Sequence, residues 1–169
     1  MRVLACDTRQ DTFLAELLGF DYVPLETLLR SSDIITLHVP HLPSTHHLIN
    51  QESLRMVKRG ALLINTARGA LVDTDALGWA LDEGILGGVG LDVIEGEEEL
   101  IEEKQILDQP QTVETLRRIL RNQILLKRDN VVFTPHNAFN SREALRRILD
   151  TTLDNVDGWQ RNAPINLVV

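Results

Sequence analysis

The apolar residues of this chain fall into two kinds of run. Short, nearly continuous ones occur at Arg2–Cys6, Ile34–Val39, Ala61–Asn65, Gly88–Asp92 and Val131–Thr134. Unbroken apolar sequence of this length suits parallel strands covered on both faces, so each reads as a buried strand. Between them the spacing turns helical. Phe13, Leu17 and Leu18 share one face of an early helix. Asp73 and Thr74 offer caps ahead of Ala76, Leu77, Ala80 and Leu81, with Gly84 as the stop. A shorter strand is predicted at Asp21–Pro24, followed by a helix through Leu25–Arg30. Strands that alternate with helices require crossover connections, which makes the fold class α/β with a doubly wound, mostly parallel sheet.

Two regions break the alternation. From Glu95 to Asn130 the chain inserts a stretch too long for an ordinary loop. Within it Val113, Leu116, Leu120 and Ile124 mark an amphipathic helix, with Arg117, Arg118, Arg121 and Lys127 elsewhere on it. The second break is a C-terminal helix whose stripe runs through Leu145, Ile148, Leu149, Thr152, Leu153, Val156 and Trp159. Its apolar face is long enough to belong against another domain. The organisation expected is a domain over residues 1–140, with a helical insert at about 95–130, then a helix and tail over 141–169.

Charge narrows the function classes. With 17 Lys+Arg against 25 Asp+Glu the net charge is −8, so no excess of cations exists to replace counterions on nucleic-acid phosphates. Cys6 is the only cysteine, which excludes an intramolecular disulfide and a cysteine metal cluster. The MRVLACD start does not read as a signal peptide, and no apolar run approaches the ~20 residues a membrane helix needs. The expectation is a cytoplasmic domain with no nucleic-acid or membrane partner.

Each strand end carries chemistry that also has a bland reading. Asp7, after the first strand, is placed to accept hydrogen bonds from ribose hydroxyls, or it is a turn or cap aspartate. The glycine fingerprint that should precede such an acid is missing, and Gly84–Gly90 is a decoy whose glycines lead into a strand instead of following one. Val39 and Pro40 leave the second long strand at its carboxyl edge, where ligands bind in open α/β folds. Asn65, Thr66 and Ala67 leave the next strand the same way, ahead of Arg68, whose guanidinium suits a carboxylate or a surface acid equally. Asp92 and Glu97 come after the fifth strand; Thr134, Pro135 and His136 come after the last. By itself His136 reads as a capping or packed histidine. The other four histidines lie between His38 and His47, and no carboxylate interleaves with them, which argues against a metal there. Arginine, aspartate, glutamate and histidine nevertheless all lie past the carboxyl ends of core strands, and in a parallel sheet those ends share one edge.

These residues carry a resemblance. The stretches Ser32–Pro40, Lys58–Asp73, Gly90–Glu97 and Thr134–Phe139 resemble the NAD-binding domain of the D-isomer-specific 2-hydroxyacid dehydrogenases, and look closest to their D-lactate dehydrogenase branch. The resemblance implies a Rossmann-like fold, NAD as cofactor, and an oxidoreductase that interconverts a pyruvate-like 2-oxo acid and a D-2-hydroxy acid. It implies that Arg68 binds the substrate carboxylate, that His136 is the general acid/base, and that Glu97 holds its imidazole. Asp92 is implied beside the nicotinamide, Asp7 at the adenosine ribose, and Val39, Pro40, Thr66 and Ala67 along the nicotinamide side. An acid at position 7 repels a 2′-phosphate, which favours NAD over NADP.

The departure is one of extent. Family members are longer, and the first strand, its glycine loop and most of the substrate domain have no counterpart here. The chain alone is therefore expected to be inactive, with its open strand edge driving it into a homodimer or onto a partner that supplies the missing region. The alternative is a non-catalytic nucleotide-sensing or partner-binding module on the same scaffold, or a structural oligomerisation domain. The presence of Arg68, Glu97 and His136 together favours the enzyme.

Overall fold

The computed structural model describes residues 1–97 and 112–167. The chain divides into two compact units, Met1–Pro135 and His136–Val169. Among the described residues the first carries six strands: β1 (Val3–Ala5), β2 (Phe20–Tyr22), β3 (Ile34–Leu37), β4 (Ala61–Asn65), β5 (Leu86–Leu91) and β6 (Val131–Phe133). Its helices are α1 (Thr12–Leu18), α2 (Leu25–Ser31), α3 (Gln51–Met56), α4 (Thr74–Asp82) and α5 (Val113–Leu126), with a 3-10 turn at Gly69–Leu71. The second unit is built on α6 (Arg142–Gln160), capped by the Ser141 side chain. Among the described residues no helix is long and apolar enough to cross a membrane.

Among the described residues every strand pairing is parallel, as the crossover pattern predicts, but the strands form two sheets. β1 pairs with β2, while β3, β4, β5 and β6 lie side by side in chain order. Because the larger sheet is parallel and in order, the carboxyl ends of its four strands fall on one edge.

Burial of that sheet departs from the two-sided covering that continuous apolar runs suggest. Ile35, Leu37, Leu63, Val89 and Leu91 are buried on one face, with α3 and α4 supplying Leu54, Leu77 and Leu81 to the same core. On the other face Ile34 lies beside Leu62, and Val132 beside Gly90, and all three of these branched residues are exposed. The runs are apolar on both faces and covered on one. Likewise Phe13, Leu17 and Leu18 do form a helix, yet all three are exposed.

Local chemistry explains the helix ends. The Asp73 carboxylate accepts from the Asp75 and Ala76 amides and starts α4. Gly84 then turns the chain at a φ of +60°, a left-handed value glycine adopts without strain. Apolar spacing does not predict α3, because at six residues it is too short to show a period. Its start is legible instead as a capping box, with Asn50 and Ser53 bonding each other's backbone amides.

The insert resolves into α5, preceded by residues 98–111, which lie outside the described part. The helix is where the Val113, Leu116, Leu120 and Ile124 stripe predicts, but that stripe faces out; Asn122 and Leu125 are buried. Charge registers the helix. Arg121 and Arg128, seven residues apart, meet Asp75 and Asp82 of α4, also seven apart, at 2.5 and 2.6 Å. Arg121 lies on α5 and Arg128 just past its end, so the two pairs hold the C-terminal part of the helix and the turn after it against α4. The aspartates are largely exposed, so each pair adds at most about 1 kcal/mol. Leu125 and the Asn122 amide, which donates to Glu95 O at 2.9 Å, seat the helix.

Leu77 is 1% exposed and Leu120 is 62% exposed. In urea titrations Leu77→Ala is expected to lower unfolding free energy by about 3 kcal/mol, and Leu120→Ala by less than about 0.5 kcal/mol. Equal losses would show that the outward stripe of α5 is covered in solution.

Candidate functional site at the carboxyl edge of the sheet

The loops that leave β4 and β5 build the site. Asn65, the last residue of β4, is 1% exposed, and both ends of its amide are used. Its Oδ1 accepts from the Ala67 amide at 3.1 Å and its Nδ2 donates to Arg68 O at 2.8 Å. The same residue's carbonyl accepts the Asp92 amide at 2.9 Å, tying the end of β4 to the end of β5. One buried side chain therefore shapes the turn that presents Arg68. The sequence placed Asn65 in the motif without giving it this task; an apolar strand ending on an amide side chain was the available signal.

Gly69 explains why the two loops are neighbours. A Cβ at that position would lie 2.2 Å from the Ile94 carbonyl carbon and 2.5 Å from the Glu95 nitrogen. Backbone meets backbone there, and no side chain fits between. Arg68 is exposed, adjacent to that contact, with Nη1 donating to Ala67 O at 2.6 Å. On the other loop Glu97 turns its Oε2 toward the Ile94 amide at 3.3 Å. Asp92 is 3% exposed and its Oδ1 accepts from Thr134 Oγ1, which links the ends of β5 and β6. A buried carboxylate needs such donors to offset its lost hydration.

The remaining predicted residues occupy strand ends of the first unit or lie beyond it. Val39 and Ala67 pack half-buried against the core, Pro40 and Thr66 are exposed, and Pro40 O accepts from Thr45 Oγ1 at 2.7 Å. Asp7 is exposed after β1, and its Oδ1 accepts from the Arg9 amide at 2.9 Å, the bond of a turn-forming aspartate. His136 opens the second unit in a left-handed conformation, at a φ of 48°. The edge of the first unit thus brings together Arg68, Asp92 and Glu97, with Val39, Pro40, Thr66 and Ala67 at the ends of β3 and β4.

Comparison with known proteins places this edge in a family. Residues 1–138 match the D-isomer specific 2-hydroxyacid dehydrogenase, NAD binding domain. The chain belongs to that family. It is 43% identical over 144 residues to a D-specific alpha-keto acid dehydrogenase of Enterococcus faecium, covering 83% of this chain and 42% of that protein. It is 42% identical over 170 residues to a glyoxylate reductase of Korarchaeum cryptofilum, covering 99% of this chain and 45% of that protein. Among solved structures, D-lactate dehydrogenase from Aquifex aeolicus complexed with NAD and lactic acid superposes with a TM-score of 0.82 at 40% identity, covering 96% of this chain and 47% of that one. The Rossmann-like α/β expectation holds. The chain spans less than half the length of these relatives.

The close approach at Gly69 is directly testable. Gly69→Ala is expected to destabilise the chain by at least about 2 kcal/mol, since backbone on both sides must move. Gly78, within α4 and facing open space, is the control: Gly78→Ala should stabilise by about 0.5–1 kcal/mol. A neutral Gly69→Ala in thermal denaturation would contradict the contact.

Proposed function

We propose that this chain is the cofactor half of an NAD-dependent oxidoreductase that interconverts a pyruvate-like 2-oxo acid and a D-2-hydroxy acid. The observation that carries the reading is the backbone contact of Gly69 with Ile94 and Glu95, which sets Arg68 beside the loop bearing Asp92 and Glu97. An exposed guanidinium at the carboxyl edge of a parallel sheet suits the carboxylate of a 2-oxo acid, and the two acids beside it are placed to accept hydrogen bonds at the same edge.

The donor set fits the dinucleotide. Asp7 offers an exposed carboxylate for ribose hydroxyls, Val39, Pro40, Thr66 and Ala67 offer short, mostly apolar walls for a flat ring, and Asp92 is a buried acceptor at the same edge. When bound, NADH supplies the hydride. The chain's own residues do the rest. Arg68 forks onto the substrate carboxylate and polarises the carbonyl. His136 gives its proton to the carbonyl oxygen, and Glu97 is the carboxylate that the family resemblance assigns to its imidazole. Asp7 repels a 2′-phosphate and so favours NAD over NADP.

Residues 1–140 make up this cofactor domain, and the helix and tail at 141–169 pack on a substrate domain. The acidic balance and single cysteine support a place in the cytoplasm. By itself the chain is expected to be inactive, since it spans less than half the length of the relatives it matches. β1 and β3 each have one side with no strand paired to it among the described residues, which supports a homodimer or a partner that completes the sheet.

Calorimetric titration of pyruvate into the purified, NADH-loaded chain tests the role of the arginine. Arg68→Ala is expected to weaken pyruvate binding at least about tenfold while NADH affinity stays within about twofold. Equal pyruvate affinity in both proteins would overturn the assignment. Turnover of pyruvate and NADH by the chain alone should not exceed that of Arg68→Ala; arginine-dependent turnover would refute the claim of inactivity.

A further inference from the structure

Outside the carboxylate-and-arginine edge, the loop between β3 and α3 carries four histidines, brings His41, His46 and His47 together and receives a carboxylate. His47 Nε2 lies 2.9 Å from Glu95 Oε1, a contact that joins residues 48 positions apart. The His46 and His47 rings stack at 3.9 Å, and a ligand atom from each of His46, His47 and Glu95 lies within 4.8 Å of the others. His41 Nε2 is 3.3 Å from His46 Nδ1. The sequence spacing argued against a metal because no carboxylate interleaves with these histidines; the fold supplies one from the loop after β5.

A simple His–Glu pair needs neither a second imidazole nor an unusual backbone, and this loop has both. In an extended chain, consecutive side chains point to opposite sides. His47 instead adopts a φ of 49°, a left-handed value that non-glycine residues rarely take, and the two rings end on the same side. Strain of this kind persists where surrounding bonds enforce it. Here the His47 amide donates to Ala70 O at 2.9 Å and Asn50 Nδ2 donates to His47 O at 3.1 Å. The Ile49–Val72 bridge pins the next residues. Glu95 is held as well, its carbonyl accepting from the buried Asn122 amide.

We propose that His46, His47 and Glu95 form a binding site for a divalent cation of the zinc class, with two imidazole nitrogens, one carboxylate oxygen and one position open to water. Imidazole and carboxylate together suit borderline cations such as zinc, and neither calcium nor magnesium takes such a nitrogen-rich set. Zinc bonds of about 2.0–2.2 Å in a tetrahedron put a nitrogen and an oxygen about 3.4 Å apart. His47 and Glu95 therefore need to separate by only a few tenths of an ångström. Turning the imidazoles out of their stack uses the broad ring torsion of histidine. When His46 coordinates through Nε2, its Nδ1–H donates to His41, the kind of outer partner that orients a metal-bound imidazole. The cation joins the loop before α3 to the loop after β5, fastening two segments that flank the 3-10 turn at Gly69–Leu71. This inference is independent of the proposed dehydrogenase reading.

The test is calorimetric titration of Zn²⁺ into the whole, tag-free chain in a chelator-free buffer. One cation per chain is expected, with affinity falling at least about tenfold in each of His47→Ala and Glu95→Gln and staying unchanged in His38→Ala. Glu95→Gln alters charge without volume, and circular dichroism of each variant checks that it folds. A second readout is the visible absorption of Co²⁺, which should show the strong bands of a tetrahedral nitrogen–oxygen site and lose them in Glu95→Gln. Absence of stoichiometric binding, or binding equally strong in both ligand variants, would overturn the proposal.

Discussion

The candidate site depends on one steric constraint: the chain leaving β4 passes so close to the chain leaving β5 that residue 69 can carry no side chain. A Cβ there would sit 2.2 Å from the Ile94 carbonyl carbon. That contact, together with the hydrogen bond from the Asp92 amide to Asn65 O, makes one surface of two loops. Arg68 is presented from one side of it, and Asp92, Glu95 and Glu97 from the other. Loops usually carry function on a rigid scaffold, and here the scaffold extends into the loops themselves.

The parallel sheet supplies the edge, and buried polar groups define its detail. Asn65 spends its whole amide on the turn to Arg68. Asp92 takes the Thr134 hydroxyl, and Asn122 holds Glu95 from beneath. Each of these three residues is buried, so loss of a partner would leave an uncompensated polar group, at about 1–3 kcal/mol apiece. The ion pairs between α4 and α5 act differently. They are exposed on the aspartate side and matter more for register than for stability.

Much of this was legible in the sequence because each strand ends on a recognisable change from apolar run to polar chemistry. The apolar run Ala61–Asn65 coincides with β4 residue for residue, and the other runs end within a residue or two of their strands. The facing of helices was less legible. The Val113, Leu116, Leu120 and Ile124 stripe gave α5 its place but not its buried side, because two arginines at matching spacing found two aspartates on α4. Continuous apolar strands likewise did not reveal that Ile34, Leu62 and Val132 lie on an uncovered face. Of the site, Arg68, Asp92 and Glu97 were found as strand-end residues. The tasks of Asn65 and Gly69 emerge only once two loops are seen to touch, and the meeting of His47 with Glu95 spans a separation that no local pattern encodes.

The central claim is that the carboxyl edge of the larger sheet is where the dinucleotide binds. Amide chemical shifts of the ¹⁵N-labelled chain, monitored as NADH is added, test it most directly. The largest changes are expected at Val39, Thr66–Gly69 and Asp92–Glu97, with residues at the opposite edge, such as Lys58–Gly60 and Gly84–Leu86, unmoved. Changes concentrated at that opposite edge, or none at all at saturating NADH, would contradict it.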